Sequence, residues 1–132
     1  NMYGERPKSA AVVHLHSLHA VAVSCLDGLN AEDVFPPITA YAVMQVGKLA
    51  LAPYYAPGDM ALAEAVRKLA GKHHAILLAN HGPVVAGTSL TAAVYAIEEL
   101  EQTAKLMLLL QGHATRLLTP EQIADLNRRF PG

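Results

Sequence analysis

The chain lacks the features on which disulfide-rich, membrane-spanning and nucleic-acid-binding proteins depend. It has one cysteine in 132 residues, so no disulfide can form within it, and a reducing compartment such as the cytoplasm is predicted. Its most apolar run, residues 106–110, is much shorter than the ~20 residues of a membrane-spanning helix. It has no basic run and a formal net charge of −1, so a nucleic acid is not expected as its partner.

What the chain does have is material for a hydrophobic core. Hydrophobic residues make up 52% of it, and its length suits one domain over residues 1–132. Apolar runs bounded by turn residues predict strands, and these runs are residues 10–15, 38–46, 49–52, 75–79 and 83–86. Tyr41, in the second run, is expected to be a strand tyrosine with a buried ring.

Four segments carry signals for helices between these strands. The predicted first residues or caps are Ser17, Asp59, Thr88 or Ser89, and Thr119. The predicted ends are about Leu26, Gly71, Gln111 and about Arg129. The last start is the clearest, because Pro120 and Gln122 complete a capping box with proline in the first turn. Alternating strands and helices predict a layered α/β domain.

Several polar side chains on the predicted helices are expected to have structural rather than catalytic roles. Cys25 lies in an apolar segment, which is typical of a small buried hydrophobe rather than a nucleophile. On the long helix, Glu98, Glu99 and Glu101 are predicted to point outward, away from the apolar face.

Three histidines lie where they could surround a metal ion. His14 and His16 are two residues apart in the first predicted strand, and side chains at i and i+2 project from the same face. His81 follows the strand at residues 75–79, and Gly82 lets the backbone turn sharply after it. If the two strands are neighbours, the three imidazoles converge with one coordination position open, as in catalytic zinc sites. The alternative is a set of structural histidines.

The other histidines are weaker candidates. His19, in the first turn of the helix after Ser17, is either a partner of the metal ligands or a helix residue packed near them. His73 and His74 precede a strand and are predicted to be solvated loop residues. His113 follows a helix stop, where it is expected to interact with the helix C-terminus.

Four segments together resemble the class II aldolase/adducin family. They are AVVHLH at residues 11–16, PYYAPG at residues 53–58, LLANHG at residues 77–82 and LTPEQI at residues 118–123. The likeness extends over nearly the whole chain. Within the family, residues 13–17, 22–28 and 79–87 are most similar to the branch that acts on sugar acids.

The resemblance implies a three-layer α/β/α sandwich around a largely antiparallel sheet, of which this chain is the C-terminal portion, N-terminally incomplete. It implies a divalent cation, usually zinc, on the histidines that match His14, His16 and His81. Family members are commonly homotetramers. The family's phosphate-binding loops and acid/base residue are expected upstream of Asn1. No catalytic or substrate-binding residue is therefore assigned, and this chain alone is expected to be inactive.

The activity implied is that of a metal-dependent carbon–carbon lyase acting on a phosphorylated sugar acid through an enediolate. The leading expectation is decarboxylation of 3-oxo-tetronate 4-phosphate to a triose phosphate ketone and carbon dioxide. A class II sugar-phosphate aldolase or 4-epimerase is the alternative within the family. A non-catalytic interaction module like the adducin head is the alternative of another class, although such a module is expected to have lost the ligand histidines.

Overall fold

The structure, a computed structural model, describes residues 11–131. In this range the strands are β1 (Ala11–His14), β2 (Ala50–Ala52), β3 (Ala75–Leu78) and β4 (Gly82–Gly87). The helices are α1 (Leu18–Ser24), α2 (Ala40–Gln45), α3 (Met60–Ala70), α4 (Leu90–Leu110) and α5 (Pro120–Arg129). Among these helices, none combines the length and the apolar character needed to cross a membrane.

The four strands form one sheet in the order β1-β4-β3-β2. β4 is antiparallel to both of its neighbours, β1 and β3, whereas β2 runs parallel to β3. In the register between β1 and β4, His14 lies opposite Val84. The expectation of a largely antiparallel sheet is confirmed.

Helices cover both faces of the sheet. Successive residues of a strand point to opposite faces, so apolar neighbours on one strand pack against helices on both sides. Leu77 on β3 packs in one cluster with residues of α1 and α4, such as Val23 and Ile97. Its neighbour Ile76 packs on the other face, against α3. All four residues of β3 are buried. The α/β/α sandwich is therefore confirmed, with β3 at its centre.

The predicted strand at residues 38–46 is wrong, because the structure has helix α2 there. Thr39 starts this helix: its Oγ1 accepts a hydrogen bond from the Ala42 backbone N–H at 3.1 Å. A short apolar run can form either a strand or a buried helix, and the cap decides in favour of the helix. Tyr41 consequently lies on a helix with 65% of its surface exposed, not in a strand with a buried ring.

The other predicted helices are confirmed, with ends shifted by one or a few residues. Asp59 Oδ1 accepts from Ala61 N–H at 2.9 Å, and Ser89 Oγ accepts from Ala92 N–H at 3.1 Å. Both hydrogen bonds of the predicted capping box are present: Thr119 Oγ1 accepts from the Gln122 N–H, and Gln122 Oε1 accepts from the Thr119 N–H. These local bonds satisfy donors that a helix start otherwise leaves unpaired.

The first helix is shorter than predicted, and this changes the position of Cys25. α1 ends at Ser24, and Cys25 is its C-cap residue. Cys25 is exposed, so the prediction of a buried small hydrophobe is wrong. At the other end, β1 stops at His14, which leaves Leu15 outside the strand and 47% exposed.

Candidate metal centre

His14, His16 and His81 converge at one edge of the sandwich. His14 is the last residue of β1, and His81 lies in the turn between β3 and β4. His16 lies in the link before α1, so the prediction that it shares the first strand with His14 is wrong. The Nε2 atom of His81 is 3.2 Å from Nε2 of His14 and 3.1 Å from Nε2 of His16. Among the described residues, these three form the group of His, Cys, Asp or Glu side chains that could hold an ion.

The strand arrangement that brings the rings together differs from the predicted one. The strand at residues 75–79 was expected to neighbour the first strand, and this is wrong, because β4 lies between β3 and β1. His81 instead reaches the site through β4, which begins directly after it and pairs with β1. The convergence therefore comes from the short turn between β3 and β4.

The backbone of this turn depends on two unusual residues. Asn80 has φ of 57°, in the left-handed region that asparagine tolerates better than most residues. Gly82 has φ of 156°, and a Cβ atom there would lie 2.7 Å from the carbonyl oxygen of Leu15. Glycine thus lets the turn that carries His81 approach the segment that carries His16. The turn itself lies at residues 79–81, so it precedes Gly82, the first residue of β4, rather than following His81 as predicted.

A backbone carbonyl fixes the orientation of the His14 ring. Nδ1 of His14 lies 2.8 Å from the carbonyl oxygen of Pro83. A carbonyl can only accept, so Nδ1 carries the proton and donates it. The Nε2 lone pair of His14 then faces His81, which is the tautomer that a metal ligand needs.

The electrostatics of the site favour the neutral form of the His81 imidazole. Partial burial of the ring lowers the pKa of His81 below the ordinary histidine value, and repulsion of its charged form by the His14 and His16 rings lowers it further. Neutral histidine is the form that coordinates metals. The lowered pKa of His81 therefore favours the form of this side chain that can bind a cation.

The two separations between His81 Nε2 and its neighbours fit a tetrahedral cation. With Zn–N bonds of about 2.0–2.1 Å, two ligand nitrogens of a tetrahedral site lie about 3.3–3.4 Å apart. The observed separations of 3.1 and 3.2 Å are close to this value. A single proton on His81 Nε2 can point at only one neighbour, so hydrogen bonding alone leaves the other short contact unfavourable.

Glu101 on α4 is a functional candidate that sequence reasoning missed. Its Oε2 accepts from Nδ1 of His19 at 2.7 Å and from the His19 backbone N–H at 3.1 Å. Its Oε1 accepts from the Ala20 backbone N–H at 2.8 Å. The prediction that Glu101 points outward is therefore wrong. A signal existed, because Glu101 is one turn after the buried Ile97 on α4.

Burial and hydrogen bonding act in opposite directions on the Glu101 carboxyl. Partial burial raises its pKa, but the hydrogen bonds from the Ala20 backbone and from the His19 side chain and backbone outweigh burial, so the net pKa is lowered. The carboxylate is thus the stable form in the folded chain. His19 is held by this carboxylate, and it is not in the group around the candidate metal position.

The remaining histidines are not in this group either. His73 Nδ1 donates to the Lys48 carbonyl at 2.8 Å, and His74 Nε2 donates to the Gln45 carbonyl at 2.9 Å. Both rings therefore hold the turn after α2, whereas solvated loop residues were predicted. His113 is exposed, and its backbone N–H donates to the Leu110 carbonyl at the end of α4.

A comparison with known families identifies the scaffold. The family described as Class II Aldolase and Adducin N-terminal domain matches residues 1–108. The chain belongs to this family. The resemblance read from the sequence is thereby confirmed.

Individual relatives agree with this assignment. The chain is 50% identical over 127 residues to the 3-oxo-tetronate 4-phosphate decarboxylase of Pectobacterium atrosepticum, covering 96% of this chain and 58% of that protein. It is 34% identical over 133 residues to the L-fuculose phosphate aldolase of Haemophilus influenzae, covering 98% and 59%. The crystal structure of YgbL from Escherichia coli superposes with a TM-score of 0.92 at 49% identity, covering 95% and 60%. The chain thus spans less than two thirds of the length of these relatives.

Proposed function

We propose that the protein is a metal-dependent carbon–carbon lyase whose reaction is the decarboxylation of 3-oxo-tetronate 4-phosphate. The observation that carries the proposal is the convergence of three histidine nitrogens, with Nε2 separations of 3.1 and 3.2 Å about His81. The relative that is 50% identical over 127 residues bears the name of this activity. The histidine site supports chemistry through an enediolate, and the name of the relative favours decarboxylation among the reactions that pass through one.

His14, His16 and His81 are the proposed ligands of a divalent cation, with zinc as the leading candidate. Three imidazole nitrogens are a ligand set that zinc accepts in catalytic sites, where a fourth position stays open. The Pro83 carbonyl holds His14 in the tautomer that leaves Nε2 free. The lowered pKa of His81 keeps the second ligand neutral.

The reaction needs a means of stabilising negative charge on oxygen. In a 3-oxo acid the ketone is β to the carboxylate, so breaking the carbon–carbon bond releases carbon dioxide and leaves the electron pair in an enediolate. Protonation of the enediolate carbon then gives a triose phosphate ketone. A divalent cation, when bound, supplies Lewis-acid stabilisation of the oxygen that gains charge. His14, His16 and His81 would hold this cation, and a fourth coordination position would be open to the substrate.

An aldolase is the second candidate, supported by the 34% identity to an L-fuculose phosphate aldolase. An aldolase reaches the same kind of enediolate by releasing an aldehyde instead of carbon dioxide. A 4-epimerase on this scaffold would invert one carbinol carbon. The histidine site serves each of these reactions, so the leaving group distinguishes them.

Product analysis tests the proposal. Full-length protein loaded with zinc is incubated with 3-oxo-tetronate 4-phosphate, and carbon dioxide and the triose phosphate ketone are quantified. We expect the two products in equal amounts, and no turnover by the His81→Ala variant. Release of an aldehyde from L-fuculose phosphate, without carbon dioxide from the 3-oxo acid, would support the aldolase instead.

We further propose that the protein assembles as a homotetramer. Tyr41 on α2 and Tyr95 on α4 are 65% and 63% exposed, and they line one surface depression together with Gln45. Exposed aromatic side chains are typical of protein interfaces. Sedimentation velocity at several concentrations tests this assembly. A cytoplasmic location stays a prediction from the single cysteine.

A further inference from the structure

The start of helix α1 is capped from a distant part of the chain. Ser17 is the N-cap residue, yet its side chain makes no capping hydrogen bond. The N–H groups of His19 and Ala20, which an N-cap side chain normally binds, donate to Glu101 instead. Ser17 Oγ is buried without a partner. The carboxylate on α4 has therefore taken over the task of the local cap.

The position of α1 matters because each of its ends adjoins a segment that carries a proposed ligand. His16 lies two residues before Leu18, the first residue of α1. At the other end, the Ser24 carbonyl accepts from the Asn80 backbone N–H at 3.0 Å. Asn80 directly precedes His81. Helix α1 thus connects the His16 segment to the His81 turn.

Glu101 is well suited to fix this connecting helix. A carboxylate at a helix N-terminus gains from the helix dipole as well as from charge-assisted hydrogen bonds. It holds three donors at 2.7, 2.8 and 3.1 Å, two from the backbone and one from the His19 ring. The long helix α4 that carries it packs in the core through Ile97 and Leu100. Glu101 therefore joins α1 to the rigid body of the fold.

We propose that Glu101 is a positioning residue of the metal centre, which holds His16 at the distance from His81 that a cation requires. The proposal rests on the proposed metal site and deepens it. Glu101 acts through α1 and touches neither cation nor substrate. Loss of a hydrogen bond made directly to a metal-binding side chain costs about 10-fold to 100-fold in metal affinity. Because Glu101 acts one step further away, through α1, we expect a loss near the lower end of this range.

The experiment measures Co²⁺ binding to full-length protein by its visible absorption, with the Glu101→Ala and Glu101→Gln variants. We expect the Co²⁺ dissociation constant to rise about 10-fold or more in Glu101→Ala, with an altered band shape because His16 is displaced. The dissociation constant of Glu101→Gln should lie between those of wild type and Glu101→Ala. The amide oxygen of glutamine can still accept a hydrogen bond, whereas its NH2 group faces a donor. If Glu101→Ala does not fold, Glu101→Gln decides by the same criteria.

Two controls separate positioning from general stabilisation. Glu98→Ala removes an exposed carboxylate from the same helix and should leave Co²⁺ binding unchanged. Val66→Ala weakens the core on the opposite face of the sheet, so it should lower the melting temperature and leave affinity and spectrum unchanged. Wild-type affinity and spectrum in folded Glu101 variants would overturn the proposal. Failure of the wild-type protein to bind Co²⁺ would instead contradict the proposed metal site.

Discussion

The Nε2 atoms of His14 and His81 lie 3.2 Å apart although 67 residues separate the two histidines in the sequence. The pairing of β1 with β4 produces this proximity, because β4 starts directly after His81. The His14 ring is also fixed by the carbonyl of Pro83, which lies on β4. One ligand position, His14, therefore lies on the sheet itself, and His81 lies in a turn at the edge of the sheet.

Removing the proposed ligand His81 should remove the metal and leave the fold intact. His81 lies in a turn between strands, outside the two core clusters, so His81→Ala leaves the packing of β3 unchanged. We expect loss of bound zinc by elemental analysis, loss of activity, and a circular dichroism spectrum like that of wild type. His113→Ala, at an exposed histidine, is the matched control. Normal zinc content in His81→Ala would refute its role as a ligand.

Adding one methyl group at Gly82 should damage the site through the backbone. A Cβ atom there meets the Leu15 carbonyl oxygen at 2.7 Å, and φ of 156° is unfavourable for alanine. Gly82→Ala should lower the free energy of unfolding by about 1–3 kcal/mol and weaken zinc binding. Denaturant unfolding and zinc titration measure the two effects.

Gly28→Ala is the control for this backbone effect. Gly28 also has positive φ, of 73°, but a Cβ atom there meets nothing within 4 Å. Gly28→Ala should lower the free energy of unfolding by about 1–2 kcal/mol, because alanine disfavours positive φ, and it should leave the zinc affinity unchanged. Equal zinc affinities for Gly82→Ala and wild type would show that the close approach to Leu15 is not needed for the site.

The stabilising effect of Glu101 should depend on pH. The folded chain lowers the pKa of Glu101 below its unfolded value of 4.5, so the unfolded chain takes up the proton first as pH falls. The contribution of Glu101 to the free energy of unfolding is therefore fully present above its unfolded pKa. This contribution is lost as the pH decreases through the lower pKa of the folded chain. Glu101→Gln should therefore have a lower melting temperature than wild type at pH 7, and the difference should shrink toward pH 3. A difference that is constant across this range would contradict the assignment.

The centre of the sandwich should respond to truncation on β3. Leu77 is fully buried, so Leu77→Ala should lower the free energy of unfolding by about 2–5 kcal/mol. Leu90→Ala is the control, because Leu90 is 65% exposed, and it should change stability by less than about 0.5 kcal/mol. Urea denaturation of the two variants makes the comparison. Similar losses in both would contradict the central position of β3.

The parts of the fold that could be predicted from sequence are those set by local signals. The caps at Asp59, Ser89 and Thr119 predicted three helix starts, because a side chain there bonds to a backbone N–H two or three residues later. The apolar run at residues 75–79 predicted β3. The three histidines were also evident as candidates, because their residue type and spacing favour a metal.

The parts that could not be predicted depend on contacts between distant residues. The strand order β1-β4-β3-β2 follows from long-range pairing that no local pattern encodes. Glu101 caps α1 from 81 residues away, so it looked like one more surface carboxylate. The strand predicted at residues 38–46, which contain Tyr41, was wrong for a different reason. An apolar run of that length is compatible with both a strand and a helix.

X-ray absorption spectroscopy of the full-length protein loaded with zinc tests whether His14, His16 and His81 bind one metal ion. We expect three imidazole nitrogens at about 2.0–2.1 Å from the zinc, completed by oxygen at the open position. His14→Ala, His16→Ala and His81→Ala should each remove one nitrogen or abolish binding. A protein that retains no zinc, or a zinc with fewer than three imidazole ligands, would refute the three-histidine site.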